Sequence, residues 1–330
     1  MNEQRRQFPW LPESVEREGV LRIDWSSYKE IESCQRKAAM AVALRREPAS
    51  DSIALNFGQA IHAALDVRQQ GIMAGRRATE MMADMETALE REFGAFTVPP
   101  GDYRTLGRAK DVVGVYNQTF PDEPFEILAS EQRAGKDLGR VRYGSGQTCD
   151  IIWQGVTDGI WRNRDTGEIS IKDTKTSGRD EFAGDDDAGE FSKGEAKYQM
   201  SGQFMGYAWL FSTLGQPITG AVLDQVVIRK PVQKVTARTA PQNECKRRFF
   251  SYAPEQITEW CRDTLAHITD WLSACAQGQT PPPMTRTACA WPTVCGYFNS
   301  CVQRGEAARM ERLAGPRFRD RTWNPMEARQ

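Results

Sequence analysis

The sequence predicts an α/β fold, because segments with helical periodicity and segments with strand alternation succeed one another along the chain. Three observations support this. The first third has helical periodicity, a β-rich region starts at residue 125, and helices and strands alternate after it. Predicted helices cover 24–44, 58–94 with a break near 71–75, 104–120, 197–214 and 254–277. Predicted strands begin at 125, form a hairpin that turns at 163–167, and recur at 220–230.

Composition and charge exclude several classes of protein. The 330 residues are 40% apolar and 26% charged, which is normal for a globular protein, and the net charge is −1. A broadly basic nucleic-acid coat is therefore excluded, although a local basic groove is not. No apolar run reaches membrane-spanning length and no secretory signal is visible, so we expect a cytoplasmic protein without structural disulfides.

The central chemical signal lies in the predicted hairpin. Asp158 ends one strand, and Asp173 and Lys175 share a face of the next strand because side chains alternate. Two converging carboxylates make an oxygen site for Mg²⁺ or Mn²⁺, with an ammonium in reach of a phosphate, as phosphodiester hydrolysis requires. On its own, Asp173-Thr174-Lys175 is more often a surface salt-bridged strand.

Three further features flank this hairpin. His62, one of two histidines, lies in a helix rich in small residues, although a lone histidine is usually structural. Gln203 and Tyr207 are four residues apart on a helix and so share a face, where they could hold a phosphate or Lys175; the alternative is an ordinary amphipathic helix. Glu131 lies on the strand that precedes the hairpin.

Taken in order, these motifs resemble the PD-(D/E)XK nuclease superfamily in its RecB-like branch. The resemblance is closest to the iron–sulfur members: the AddB nuclease domain, the CRISPR-adaptation exonucleases and their phage relatives. It covers residues 26–303 and implies a restriction-endonuclease-like core, with a central mixed β-sheet flanked by helices. The implied layout is an extension over 1–25, a nuclease domain over 26–303 and an Arg-rich tail over 304–330. Within the domain, 26–124 would be mainly helical, 125–253 the sheet core with the active site, and 254–303 a helix and cysteine cluster.

The resemblance also implies roles for individual residues. Asp158, Asp173 and His62 would bind the catalytic metal, together with the carbonyl of Thr174. Lys175 would be the catalytic lysine. Gln203 and Tyr207 would support the site and contact DNA, and Glu131 would be a supporting acid.

The eight cysteines divide into two groups. Cys149, Cys245, Cys261 and Cys275 are scattered, as core or helix-face residues are. Cys289, Cys295 and Cys301 are evenly spaced, and with Cys34 they could hold an iron–sulfur cluster or a zinc ion, or be buried thiols. The resemblance favours a 4Fe-4S cluster that ties the N- and C-terminal segments together.

We therefore expect a metal-dependent DNA exonuclease that acts in end processing or recombination, in a phage or bacterial setting. A recombinase or annealing protein is a candidate partner. The alternative is a catalytically inactive nuclease fold that binds DNA or a protein, and a further one is a zinc-stapled structural domain. Expected DNA contacts are the basic stretches at 34–37 and 246–250 and Arg304 with the tail, each of which could equally be a solvated face. The loop 177–196 is expected to be a mobile lid or a strand-separating loop.

Overall fold

The computed structural model of the protein describes residues 8–49, 52–182, 193–212, 216–231, 243–278, 281–289, 294–322 and 324–327. The chain divides into two compact units. The first unit comprises residues 1–50, 133–155 and 258–330, and the second comprises 51–132 and 156–257. No helix in the described ranges is both long and apolar enough to cross a membrane.

The first unit begins with short helices and strands: α1 (Glu13–Glu18), β1 (Val20–Ile23), α2 (Trp25–Ser33), α3 (Gln35–Ala38), a π-helical turn (Ala39–Ala43) and β2 (Arg46–Pro48). It also holds most of α9 (Pro254–Cys275), a 3₁₀ turn (Arg286–Cys289), α10 (Phe298–Cys301), α11 (Glu306–Ala314) and β8 (Phe318–Asp320). The predicted helix 24–44 is thus divided, because Cys34 adopts an extended conformation between α2 and α3. Asp24 caps α2 by accepting a hydrogen bond from the Ser27 amide.

The C-terminal segment is not a solvated terminus. β8 pairs antiparallel with β2, so that Phe318 lies opposite Pro48 and is buried. Leu313 on α11 is also buried, and Arg46 Nε donates to its carbonyl oxygen. Apolar residues spaced through the Arg-rich sequence therefore anchor it to the first unit.

The second unit contains helices α4 (Ile53–Met73), α5 (Met82–Phe93), α6 (Leu106–Thr119), α7 (Lys193–Gln199) and α8 (Gly202–Phe211) and a 3₁₀ turn (Ala78–Met81). Its strands are β5 (Ile169–Ser177), β6 (Gly220–Ile228) and β7 (Asn243–Ser251), together with parts of β3 (Phe125–Tyr143) and β4 (Gln147–Asn163), which pair with each other and also run through the first unit. β4 and β5 form the predicted hairpin; β5 pairs parallel with β6, and β6 pairs antiparallel with β7. The central mixed sheet is confirmed.

Helices flank this sheet in the second unit, as predicted. α4, α5 and α6 pack together around Ile61, Met85 and Val113, and Val226 of β6 joins their apolar cluster. α8 packs on β5 and β6. The predicted helix 197–214 is two helices, α7 and α8, and β7 was missed. The proposed lid over 177–196 falls largely on residues 183–192, outside the described residues.

Candidate active site

Helix α4 presents three polar side chains to the sheet on one face. His62, Asp66 and Gln69 are four and three residues apart, which places them along one stripe of the helix. Ser52 caps the helix by accepting a hydrogen bond from the Leu55 amide. Gly58, one turn before His62, lets the helix approach the strand closely, because a Cβ there would lie 2.8 Å from Thr176 Oγ1. The helix therefore delivers His62 to the edge of β4 and β5.

Asp158 is held by three partners at this edge. His62 Nδ1 lies 3.2 Å from Asp158 Oδ1 and 3.1 Å from Oδ2. The Thr174 amide donates to Oδ2 at 2.7 Å. Gln69 Nε2 donates to the main-chain carbonyl of Asp158 at 2.9 Å, and Gln69 Oε1 accepts from the indole of Trp161. The position of this carboxylate is therefore fixed from both helix and sheet.

Asp173 is buried beside Lys175. The Lys175 ammonium lies 3.0 Å from Asp173 Oδ1 and 2.8 Å from Oδ2, although only the contact with Oδ1 has hydrogen-bond geometry. Gln203 on α8 donates to Oδ1 at 3.3 Å. The side chain is 5% exposed, and its Oδ2 accepts no hydrogen bond from any described group. A buried carboxylate oxygen with spare acceptor capacity is an available cation ligand.

The two carboxylates are in opposite electrostatic environments. Burial raises the pKa of Asp173, and the charge of Asp158 raises it further against the opposing effect of Lys175. Burial acts in the same direction on Asp158, but His62, Lys172 and Lys175 outweigh it and hold the pKa of Asp158 below its ordinary value. Closely spaced groups that separate in this way are typical of functional sites.

A small cavity of about 10 Å³, room for about one water molecule, opens beside Asp158. His62, Asp66, Gln69, Glu131, Lys172 and Thr174 line it together with Leu65. Glu131 has a φ of +44°, which is unusual for a residue with a side chain and is characteristic of functional positions. The supporting acid predicted from the sequence thus lies in the site itself.

Three residues of this site were missed by the sequence reasoning. Asp66 accepts from Ser130 Oγ, Gln69 holds the backbone of Asp158, and the buried Lys172 donates to Thr174 Oγ1. The signal for Asp66 and Gln69 was available, since they follow His62 at helical spacing and so share its face of the helix. Lys172 carried no such signal.

Tyr207 occupies a more interior position than Gln203. It lies one turn further along α8, is buried, and its ring centroid is 6.1 Å from that of Phe211. The hydrogen bond from α8 to Asp173 comes from Gln203. Of the predicted pair, Gln203 therefore reaches the carboxylates and Tyr207 packs in the core.

The predicted cysteine cluster lies in the first unit. The Thr285 amide donates to Cys34 Sγ at 3.4 Å, and Cys289 Sγ lies 3.7 Å from the Thr285 carbonyl oxygen. The Cys295 amide bonds the Cys289 carbonyl, and burial with the neighbouring thiols raises the pKa of Cys301 to about 11. The four thiols are thus neighbours. In the part of the chain that the structure describes, however, no three His, Cys, Asp or Glu side chains are arranged to hold a metal ion. The other four cysteines are buried or half-buried.

Two of the predicted DNA-contacting stretches are engaged within the protein. In 246–250, Arg247 is buried against Glu123 and Asp224, Phe250 is buried, and Lys246 pairs with Asp180. In 34–37, Cys34 is buried, Arg36 donates to the Pro282 carbonyl and Lys37 pairs with Glu30. Phe249 and Arg304, in contrast, are exposed, so DNA contact by these stretches stays a prediction.

Comparison with known proteins yields one family match. The model of the PD-(D/E)XK nuclease superfamily matches residues 24–301. Among solved structures, a candidate exonuclease from Eubacterium rectale is 13% identical, covers 92% of this chain and 96% of its own, and has a TM-score of 0.47. A phage-related exonuclease from Haemophilus somnus is 15% identical, covers 59% of this chain and 81% of its own, and has a TM-score of 0.27. Because both scores are below 0.5, neither likeness carries weight by itself. No curated protein matches the sequence.

Proposed function

The chain belongs to the PD-(D/E)XK nuclease superfamily, and on that basis we propose that it is a divalent-metal-dependent DNA exonuclease. The observation that carries the proposal is the convergence of His62 and Asp158 with the buried Asp173–Lys175 pair. The proposal includes a place in the RecB-like branch and a role in processing DNA ends during recombination. An inactive nuclease fold is the less favoured alternative, because the residues that the chemistry needs are all present.

The residues present suit a hard divalent cation. His62, Asp158, Asp173 and the Thr174 carbonyl would hold Mg²⁺ or Mn²⁺, and Asp173 Oδ2 offers a buried oxygen with no hydrogen bond from the described residues. Burial, with a further contribution from the charge of Asp158, raises the pKa of Asp173, and a bound cation would favour its ionised form again. When bound, the metal would supply an acidic water molecule and neutralise charge on the phosphate.

The remaining groups orient the reactants. Lys175 lies within 3 Å of Asp173, so its ammonium is placed to stabilise charge that develops on a phosphate held at that carboxylate. Gln203 on α8 positions Asp173 by donating a hydrogen bond to its Oδ1. Gln69 on α4 positions Asp158 by donating to its main-chain carbonyl. Lys172, by contrast with Lys175, is buried and contacts Thr174 and Asp224 inside the protein.

End-labelled single- and double-stranded DNA tests this function. We expect the native chain to shorten the labelled DNA when Mg²⁺ or Mn²⁺ is present. Lys175→Ala should lower the rate of this degradation by about 100-fold or more. Lys197→Ala is the matched control, because Lys197 is an exposed lysine that pairs with Glu181 in the same unit. Equal degradation by the native chain and Lys175→Ala would refute the catalytic assignment, and binding without degradation would favour the inactive fold.

We further propose that Cys34, Cys289, Cys295 and Cys301 hold a 4Fe-4S cluster rather than zinc. The support is the contact of Cys34 and Cys289 with the same residue, Thr285, and the bond between the Cys295 and Cys289 backbones. Anaerobically purified protein should then be brown, absorb near 400 nm and contain about four irons per chain. A colourless protein with one zinc would contradict the cluster.

A further inference from the structure

The first unit contains a cavity of about 260 Å³ beside the N-terminal end of α2. Its polar lining includes Arg22, Arg45, Arg321, Ser27, Asp24 and Asn324, and apolar side chains such as Leu21 and Val42 complete it. Three arginines and one carboxylate residue therefore line the same cavity. Such an excess of cations in a concave site favours a ligand with negative charge.

Asp24 offsets one of the three arginine charges, so an excess of positive charge remains in the lining. Asp24 Oδ1 accepts from the Ser27 amide at 3.0 Å, and Oδ2 accepts from Ser26 Oγ at 2.6 Å. Asp24 is thereby committed to the start of α2. Arg22 has one ionic partner, Glu18, at 3.3 Å on the exposed surface, where such pairs contribute little.

Arg321 is held in place with donors to spare. Its Nη2 donates to Ser26 Oγ at 3.0 Å and to Ser27 Oγ at 3.1 Å, and its amide donates to the Arg45 carbonyl at 2.7 Å. Within the described residues, its Nε and Nη1 make no hydrogen bond. A guanidinium fixed on one side, with free donors on the other, suits a phosphate oxygen pair.

The backbone of Arg45 has an unusual conformation at this cavity. Its φ is +50°, and Arg45 and Glu131 are the two non-glycine residues with positive φ among those described. A left-handed conformation is unfavourable for a residue with a side chain, and such residues cluster at ligand sites. Glu131 lines the candidate active site and Arg45 lines this cavity, where its Nη2 donates to the Arg321 carbonyl at 3.2 Å.

We propose that this cavity binds a phosphate group, and that its source is the backbone of the DNA that the second unit cleaves. The DNA source rests on the proposed function, whereas the phosphate chemistry rests on the three arginines alone. The volume admits a phosphate with part of its sugar, and the apolar lining suits the deoxyribose. Each phosphate neutralised here would release bound counterions and make affinity depend on salt.

Fluorescence anisotropy with labelled DNA, in EDTA to prevent cleavage, tests the proposal on the full chain. We expect Arg45→Gln and Arg22→Gln each to weaken binding about three- to tenfold and to lower the salt slope by about 0.7–0.9 per phosphate lost. Arg262→Gln is the matched control, since Arg262 is an exposed arginine of the same unit that pairs with Glu259 and Asp263. Thermal unfolding midpoints show whether each variant is folded.

A second arm distinguishes the source of the phosphate. Calorimetry with inorganic pyrophosphate should show binding to the native chain that Arg45→Gln and Arg22→Gln lose. Loss of both DNA and pyrophosphate binding supports DNA as the source, and loss of pyrophosphate alone supports a free nucleotide. If folded variants bind DNA and pyrophosphate as well as the native chain does, the proposal that this cavity binds phosphate is overturned. Cleavage is assayed separately, so the pyrophosphate titration still tests phosphate binding at the cavity even if the protein does not cleave DNA.

Discussion

At the scale of single residues, the candidate site combines groups that the sequence pattern fixes with groups that only the fold reveals. Strand alternation was enough to place Asp173 and Lys175 together, and the hairpin brought Asp158 to them. Alternation could not tell which lysine of β5 is buried, because that depends on what packs on each face. Lys172, 1% exposed, faces Thr174 and Asp224, whereas Lys175 is a third exposed.

The basic stretch at 246–250 illustrates the same limit. Its sequence suggests a surface, but pairing with β6 places Arg247 opposite Asp224, where Glu123 completes a buried ion-pair group. An arginine on a strand is exposed or buried according to its partner strand, and the sequence of one strand does not contain that information.

Arg247→Met should therefore destabilise the protein by about 3 kcal/mol, because it removes the cation that two buried carboxylates share and leaves Glu123 with Arg68 at 3.4 Å and Asp224 with Lys172 at 3.9 Å. Denaturant unfolding measures this change. Arg248→Met is the control: Arg248 is the next residue of β7, half-buried and stacked over the Phe182 ring, and it should cost about 1 kcal/mol. Equal losses for the two variants would show that Arg247 contributes packing rather than charge.

The stability of the protein at low pH should depend on the same ion-pair group. Burial alone would raise the pKa of Asp224, but Arg247 and Lys172 outweigh it and hold the pKa below its ordinary value. The resulting stability is complete above the unfolded pKa of about 3.9 and is lost as pH falls through the lower folded value. The native chain should thus lose more stability than Asp224→Asn below about pH 4. Parallel pH profiles for the two proteins would contradict this.

At the scale of elements, α4 determines the geometry of the site. The sequence indicated its helical character and the position of His62, and both are confirmed. It did not reveal how close the helix lies to β5, since that distance depends on Gly58 facing Thr176. Similarly, the break at Cys34 and the strand β7 depend on tertiary partners, which override local propensity.

Gly58→Ala should lower cleavage about tenfold or more, because the added Cβ meets Thr176 Oγ1 at 2.8 Å and displaces His62 on the next turn. Apart from its chain neighbours and the nearby backbone of α4, Thr176 Oγ1 is the one described atom within 4 Å of that Cβ, so the double variant Gly58→Ala/Thr176→Ala should recover most of the rate.

Gly114→Ala serves as the control in the middle of α6. A Cβ there meets nothing within 4 Å, and alanine should stabilise the helix by about 1 kcal/mol without changing cleavage. Failure of the double variant to recover activity would show that Gly58 acts by some route other than the approach of α4 to β5.

At the scale of the whole molecule, the residues proposed for cleavage lie in the second unit, and the four cysteines proposed for the cluster and the arginine-lined cavity lie in the first. Each unit is assembled from segments distant in sequence, so no composition change along the chain marks its boundary. The order of motifs could be predicted, but the division into two compact units could not, because it follows from long-range contacts.

Removal of the proposed cluster should test how far the first unit depends on it. A link between Cys34 and the segment 289–301 closes a loop of more than 250 residues, worth about 5 kcal/mol in chain entropy. Chelation or Cys295→Ser should therefore bleach the absorbance near 400 nm and lower the thermal midpoint by roughly 10 °C. Cys261→Ser, a half-buried cysteine outside the group, should leave the colour unchanged.

The most direct measurement is a Mn²⁺ titration that follows metal binding by electron paramagnetic resonance and DNA cleavage in the same samples. We expect binding and cleavage to rise together in the native chain, and both to fall strongly in Asp173→Asn and His62→Ala while the folded fraction is unchanged. Cleavage that persists in EDTA, or Mn²⁺ binding that Asp173→Asn and His62→Ala leave intact, would contradict a metal-dependent nuclease site at the junction of α4, β4 and β5.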